Sequence, residues 1–171
     1  LKPISVEEFA RLSGAQPFGF APDARIASFA LDSREAGPGA LFVAIKGGRV
    51  DGHDFVQDVL SLGAVGTLAT RPVVGPHLLT DSVADALAAF ARARRATFEG
   101  PVVAITGSAG KTTTKEFAAA ALGALGPVLK SPGNRNSEWS APLVWAELEP
   151  THSVVVTEMA MRGFGQIRHL A

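Results

Sequence analysis

Pro101–Glu116, PVVAITGSAGKTTTKE, is the stretch from which the fold of this 171-residue chain is read. Val102, Val103, Ala104 and Ile105 form an unbroken apolar run between Gly100-Pro101 and Thr106-Gly107. A run this short and this rich in β-branched residues predicts a strand buried on both faces. Gly107-Ser108-Ala109-Gly110 follows as a loop too small to cover its own backbone, and Lys111-Thr112-Thr113-Thr114 opens a helical pattern through Phe117, Ala118, Ala121 and Leu122. Strand, glycine loop, Lys-Thr and helix together make a phosphate cradle. The loop lets bare N–H groups from Gly107 to Thr113 face an anion, and the helix N-terminus adds partial positive charge. In such a cradle Lys111 reaches the β- and γ-phosphates of ATP and the Thr112 hydroxyl ligates Mg²⁺. The general pattern Gly-x-x-x-x-Gly-Lys-Thr would start at Ile105; here the first glycine is Gly107, so the loop is shorter. The competing reading is a tight strand-to-helix turn with a solvated lysine, but the flanking elements are those that phosphate binding needs.

Bulk properties narrow the remaining choices. Sixteen basic and sixteen acidic residues cancel, so no basic field is available for nucleic acid or anionic lipid. There are no cysteines, hence no disulfide and no thiolate metal site. No apolar stretch approaches the roughly 18 residues of a membrane helix, and no basic-then-apolar leader is visible at the N-terminus, which begins at Leu1 rather than Met. At 47% hydrophobic the composition is that of a globular protein.

Working outward, Glu99-Gly100-Pro101 reads as a domain boundary. Before it, residues 1–99 predict a small α/β unit of three or four strands. Ser5 and Glu8 form a capping box before Val6, Phe9, Ala10 and Leu12, and Gly14 ends that helix. Strands are predicted at Ile26–Leu31, Leu41–Ile45, Val65–Ala69 and His77–Leu79. A helix follows Asp51-Gly52-His53-Asp54, and a longer one, capped by Ser82 and Asp85, runs from Val83 to about Phe98. Arg92, Arg94 and Arg95 mark a solvated face on it. After the boundary, residues 100–171 predict strands at the phosphate loop, Gly126–Leu129 and His152–Thr157, with a helix at Ser140–Glu149. A doubly wound sheet carries about five strands or more; only three fit here, and a new helical pattern begins at Gln166-Ile167-Leu170. The fold class expected is therefore α/β: a small N-terminal substrate domain, then the beginning of a P-loop ATPase domain with a mainly parallel sheet, in a fragment of a longer protein.

Several residues could carry chemistry. Glu158 stands at the C-terminal end of the third strand, where α/β sheets bind ligands; its carboxylate could complete a Mg²⁺ shell begun by Thr112. Asn134, Arg135 and Asn136 follow the second strand, and they read either as turn formers or as contacts to a polar substrate. Asp32-Ser33-Arg34 and Lys46-Gly47-Gly48-Arg49 follow strand ends in the first unit. They suit a diphosphate or nucleotide, or equally a pair of polar loops with one salt bridge. His53 is a loop histidine without a partner at metal spacing, and His169 reads as a helix-surface residue.

These motifs resemble the Mur ligase family of ATP-dependent, amide-bond-forming enzymes of peptidoglycan synthesis. TGSAGKTTT resembles the family's own shortened phosphate loop, and DSREAGPGALFVAIKGGRVDGHDF its UDP-substrate-binding domain. GNRNSEWSAPL and TEMAMRGFGQI are similar to the member that adds D-alanyl-D-alanine to UDP-N-acetylmuramoyl-tripeptide. Where that member's loop continues with a second Asn and a Gly, this chain has Ser137 and Ser140, with Trp139 between. The resemblance implies ATP and Mg²⁺ as cofactors, Lys111 and Glu158 as catalytic residues, and Thr112 and Glu158 as metal ligands. It implies that Asn134 and Asn136 face the peptide substrate while Ser33, Arg34 and Lys46 hold its uridine diphosphate. It also implies a cytoplasmic monomer, with a carbamylated lysine, the adenine contacts and a third domain beyond Ala171. The alternatives are the related ligase adding a diamino acid to UDP-N-acetylmuramoyl-dipeptide, and a non-catalytic UDP-substrate-binding fragment.

Overall fold

A computed structural model of the chain describes residues 2–133, 135–161 and 163–170, with the side chain of His169 outside the description. The chain divides into two compact units, residues 1–90 and 91–171, the division falling inside one helix. The α/β class expected from sequence is the class observed.

In the first unit, β1 (Ile4–Ser5) leads into α1 (Val6–Ser13), where Ser5 Oγ accepts the Glu8 N–H at 3.1 Å and Gly14 ends the helix at φ 75°. Val6, Phe9 and Ala10 are buried as the periodicity requires. The main sheet has the order β2-β7-β6-β5-β4, formed by β2 (Gln16–Phe18), β4 (Ser28–Ala30), β5 (Ala40–Val43), β6 (Gly66–Ala69) and β7 (His77–Leu79). Strands β4 to β7 run parallel, and β2 closes one edge antiparallel to β7. Every residue of β5 and β6 is buried, which is why those runs are apolar without alternation. On one side Phe42, Ala30 and Ala69 pack with Val59 of α2 (Val56–Ser61). Elsewhere Phe9, Phe29 and Phe90 gather, with Phe9 and Phe90 ring centroids 4.9 Å apart.

Two expectations need correction here. The strand predicted over Ile26–Leu31 is two strands. β3 (Arg25–Ile26) pairs with β1, and β4 begins after Ala27, whose N–H turns to Gly39 O at 2.8 Å. The sheet has five strands rather than three or four, because β2 was not predicted. It is short, its three residues are all exposed, and it carries Pro17, which an edge strand tolerates and a central one does not.

α3 (Val83–Arg95) begins with the Asp85 N–H on Ser82 Oγ at 3.2 Å. Its last turn is not the solvated face expected. Arg94 donates to Leu148 O at 2.7 Å and to Trp145 O at 3.3 Å, and the Arg95 guanidinium lies 5.7 Å from the Trp145 ring centroid. Only Arg92 of the three is exposed.

In the second unit β8 (Val102–Ile105), β9 (Val128–Lys130) and β10 (Val154–Glu158) form a parallel sheet in the order β8-β10-β9. The buried strand is β10, where all five residues are covered. β8, expected to be buried on both faces, is half-exposed because it stands at the edge of this sheet among the described residues. The helix expected at Ser140–Glu149 is a 3₁₀ run, Ala141–Glu147, with Pro142 in its first turn. α4 (Lys111–Leu122) packs Ala118, Ala119 and Leu122 against Val154 and Val156 of β10, while Phe117 is 72% exposed. The final helix, α5, covers Gln166–Leu170.

Candidate functional site

The loop between β8 and α4 depends on two glycines. Gly107 has φ 152° and Gly110 φ 75°, the latter as N-cap of α4. A Cβ on Gly110 would meet nothing within 4 Å, so the glycine is required by the backbone conformation and not by space. From Gly110 the helix starts with the Thr114 N–H on Gly110 O at 2.9 Å. The N–H groups of the first turn point out of the helix end toward the loop, where an anion is favoured. Lys111 arches back over the loop and donates from Nζ to Gly107 O at 2.8 Å. Ser108, Ala109, Thr112 and Thr113 are exposed beside it.

The sheet register brings the distant carboxylate to this loop. Glu158 pairs with Ile105 across β10 and β8, so it ends its strand level with the residue from which the loop departs. Its side chain is 1% exposed. Oε2 accepts the Thr112 hydroxyl at 2.9 Å, and Oε1 accepts Asn136 Nδ2 at 2.6 Å. Lys115 Nζ lies 3.9 Å from Oε2, and the Glu158 N–H is held by Ser131 Oγ at 2.8 Å. A buried carboxylate is costly unless its oxygens find donors or an opposite charge; here a hydroxyl and an amide donate, and an ammonium 3.9 Å away supplies the charge. Thr112, Glu158 and Asn136 therefore share one hydrogen-bonded cluster. Asn134 lies outside the described residues.

Lys115 and Ser131 were not singled out by the sequence reading. The available signal was Lys115 itself, spaced with Ala118, Ala119 and Leu122 on the inner stripe of α4. Ser137 and Ser140 have a local role: their hydroxyls are 2.8 Å apart and each accepts the other's backbone N–H, which starts the 3₁₀ run.

In the first unit the candidate residues follow the carboxyl ends of adjacent parallel strands, Ser33 and Arg34 after β4 and Lys46 after β5. Asp32 Oδ1 accepts the Arg34 N–H at 3.0 Å and its Nε at 2.9 Å, and the guanidinium forks onto both carboxylate oxygens. This clamp holds the Asp32 carboxyl down at about 2 and raises the Arg34 guanidinium. Lys46 is exposed, and its backbone bridges to Asp51. The turn beyond needs Gly52, where a Cβ would come within 2.7 Å of Ile45 N. His53 is not an isolated loop residue: it is buried, its Nδ1 lies 2.6 Å from Asp51 Oδ1, and its Nε2 accepts the Thr70 N–H at 3.0 Å. Nε2 must therefore be the unprotonated nitrogen, and Nδ1–H donates to Asp51. The backbone and ring N–H groups of His53 hold the Asp51 carboxyl down at about 2. His53 thus fastens the loop after β5 to the end of β6. Among the described residues no three His, Asp or Glu side chains gather as a metal cluster.

Comparison with known proteins returns one family in both units. Residues 25–95 match the model described as Mur ligase family, catalytic domain, and residues 105–171 the model described as Mur ligase middle domain. The UDP-N-acetylmuramoyl-tripeptide–D-alanyl-D-alanine ligase of Synechocystis sp. is 42% identical over 154 residues, 87% of this chain and 34% of the relative. A crystal structure of MurF from Acinetobacter baumannii superposes with a TM-score of 0.88 at 31% identity, over 99% of this chain and 38% of that one. The MurF ligase from Thermotoga maritima, solved in complex with ADP, gives a TM-score of 0.73 at 41% identity over 85% of this chain and 34% of that one. The chain spans about a third of the length of these relatives.

Proposed function

The chain belongs to the Mur ligase family, and on that premise we propose that it is the N-terminal part of an ATP-dependent ligase of peptidoglycan precursor synthesis, one that joins D-alanyl-D-alanine to UDP-N-acetylmuramoyl-tripeptide. In this reading residues 1–99 form the UDP-substrate domain and residues 100–171 begin the central ATP-binding domain of a cytoplasmic, monomeric enzyme. The observation that carries it is the junction of Thr112, Glu158 and Asn136, which joins a phosphate loop, a buried carboxylate and a polar loop side chain at one sheet end.

The reaction has two stages. The γ-phosphoryl group of ATP passes to the terminal carboxylate of the peptide: its bond to the ADP oxygen breaks as one to the carboxylate oxygen forms. The amine of D-alanyl-D-alanine then attacks the acyl carbon and loses a proton, and inorganic phosphate leaves with the electron pair of the broken C–O bond. Phosphoryl transfer of this kind needs positioning and charge neutralisation more than covalent help from the protein. Lys111 moves from Gly107 O to the β- and γ-phosphates, and the N–H groups from Gly107 to Thr113 line their oxygens. Thr112 and Glu158 fit Mg²⁺, because the donor set is hard oxygen and sparse, as suits an ion that keeps waters and binds phosphates. When bound, that ion supplies charge neutralisation on the phosphates. Asn136 faces the UDP-substrate, with Asn134 in the same loop, while Ser33, Arg34 and Lys46 hold the uridine diphosphate.

The test is phosphate release by the full-length enzyme with ATP, UDP-N-acetylmuramoyl-tripeptide and D-alanyl-D-alanine. Lys111→Ala should cost a factor of about 10² or more in turnover, the size seen for other preorganised charges, with the fold intact because Lys111 stands at a loop-to-helix junction. Near-normal turnover of a folded Lys111→Ala protein would overturn the phosphate-loop assignment. Turnover only with a diamino acid and the UDP-dipeptide would move the enzyme to the related member.

A further inference from the structure

α4 carries an ammonium where its pattern calls for an apolar side chain. Lys115 sits on the stripe of Ala118, Ala119 and Leu122 and is 0% exposed. Burying an ammonium is unfavourable unless it is paired, and Lys115 has three neighbours. Its Nζ donates to Gly133 O at 2.5 Å, and it lies 3.5 Å from Glu116 Oε1 and 3.9 Å from Glu158 Oε2. Glu116 is shared with Lys130, which ion-pairs with its other oxygen. The Gly133 carbonyl is aimed inward by a left-handed backbone at φ 53°. Gly133 lies in the loop that leaves β9 at Ser131 and reaches Asn136. Both of those residues are tied to Glu158, Ser131 through its Oγ and Asn136 through its Nδ2. The two ends of the loop are thus fixed by β10, and its middle is fixed by the helix that follows the phosphate loop.

We propose that Lys115 is a positioning residue for the UDP-peptide substrate: by holding Gly133 O it sets the loop of residues 131–136, and with it Asn136, against the nucleotide-side helix. The inference rests on the ligase reading above, with Asn136 facing that substrate. Lys115 is fully buried, which suits a residue that acts on the substrate through the loop rather than by contact. It acts chiefly through the carbonyl it holds, with Glu158 3.9 Å away as its second, longer contact, so its loss falls mainly on the substrate served by the loop and less on the nucleotide, whose direct contacts come from Gly107 to Thr113.

The experiment uses the full-length enzyme with Lys115→Met, which fills the space without a donor, and Lys115→Gln, which keeps a neutral donor for Gly133 O. Lys115→Met should raise KM for UDP-N-acetylmuramoyl-tripeptide about tenfold and change KM for ATP by less than about threefold, as one lost charge-assisted hydrogen bond to the loop would. Lys115→Gln should recover most of that loss. A folded Lys115→Met enzyme with unchanged KM for the UDP-peptide, an equal rise in both KM values, or a glutamine variant as impaired as methionine would each overturn the proposal. Amide hydrogen exchange is the independent arm: peptides covering residues 131–136 should exchange faster in Lys115→Met, while those from β10 stay protected. Unchanged exchange in the loop would also overturn it. If the wild-type enzyme does not turn over the UDP-peptide, the ligase reading fails, and the exchange arm still decides whether Lys115 orders the loop.

Discussion

Replacing Glu158 by Gln keeps the shape of the side chain and removes its charge. Three interactions change. Lys115 loses a carboxylate 3.9 Å away, an attraction of about 4 kcal/mol at an effective dielectric of about 20. Gln offers one acceptor oxygen instead of two: the bond from Asn136, 2.6 Å in the unaltered protein, survives on that oxygen with a neutral partner, while the Thr112 hydroxyl, at 2.9 Å, must turn to accept from the new amide, each change costing about 1 kcal/mol. Against these losses, a buried carboxylate no longer has to be desolvated, which returns several kcal/mol, and Lys115 keeps Gly133 O and Glu116. The net expectation is a loss of about 3 kcal/mol, in line with breaking one side of a buried ion pair. Both tryptophans of the chain, Trp139 and Trp145, belong to the second unit. Tryptophan fluorescence during urea unfolding therefore reports on that unit alone. With a slope of about 2 kcal/mol per molar, the midpoint should fall by about 1.5 M. The double variant Glu158→Gln/Lys115→Met removes the stranded ammonium as well, and should be more stable than the sum of the two single losses by about 2 kcal/mol. A midpoint that moves by less than about 0.3 M in Glu158→Gln, or strictly additive losses in the double variant, would refute the argument that this carboxylate and this ammonium hold one another.

Two further outcomes follow from the first unit. The Asp32 carboxyl is held at about 2 against an ordinary 3.8 by Arg34. Because the folded-state value is depressed, the stabilising contribution of the pair is present above the unfolded value and fades as pH falls from about 4 through about 2. A carboxyl-detected NMR titration should show this midpoint, and Arg34→Ala should return it toward 3.8; a midpoint near 3.8 in the unaltered chain would refute the clamp. Calorimetric titration of the 171-residue chain should find tighter binding of UDP-N-acetylmuramoyl-tripeptide than of Mg-ATP, since the contacts to ATP within this chain are mainly to its phosphates and are screened by salt. Tight Mg-ATP binding with no UDP-substrate binding would contradict the assignment of residues 1–99.

What could be read in advance was whatever local chemistry determines. The strand, glycine loop and helix of residues 102–122, the Ser5 cap and the Gly14 stop all follow from a few neighbouring residues, and so did the position of Glu158 at a strand end. What escaped depends on distant parts of the chain. The inward stripe of α4 contains Lys115, while Phe117 faces outward; the spacing of Lys115 with Ala118, Ala119 and Leu122 is there to read, but the Gly133 carbonyl and Glu158 that admit an ammonium to that stripe lie far along the chain. Arg94 and Arg95 read as a solvated face until the carbonyls of Trp145 and Leu148 and the Trp145 ring come to meet them. β8 is apolar enough for a central strand, yet the order β8-β10-β9 leaves it at an edge.

That strand order also has a consequence in time. The middle strand of the second sheet is the last of the three to be synthesised, so β8 and β9 emerge from the ribosome with no strand between them to pair with. Thr112 meets Glu158 only when the chain has grown 46 residues further, an interval of about 2 to 9 seconds at about 5–20 residues per second. During that interval the glycine loop has no floor, and the apolar edges of two strands stay open. A nascent chain paused before residue 154 would expose both, and would be a natural client for a chaperone that binds short β-branched segments.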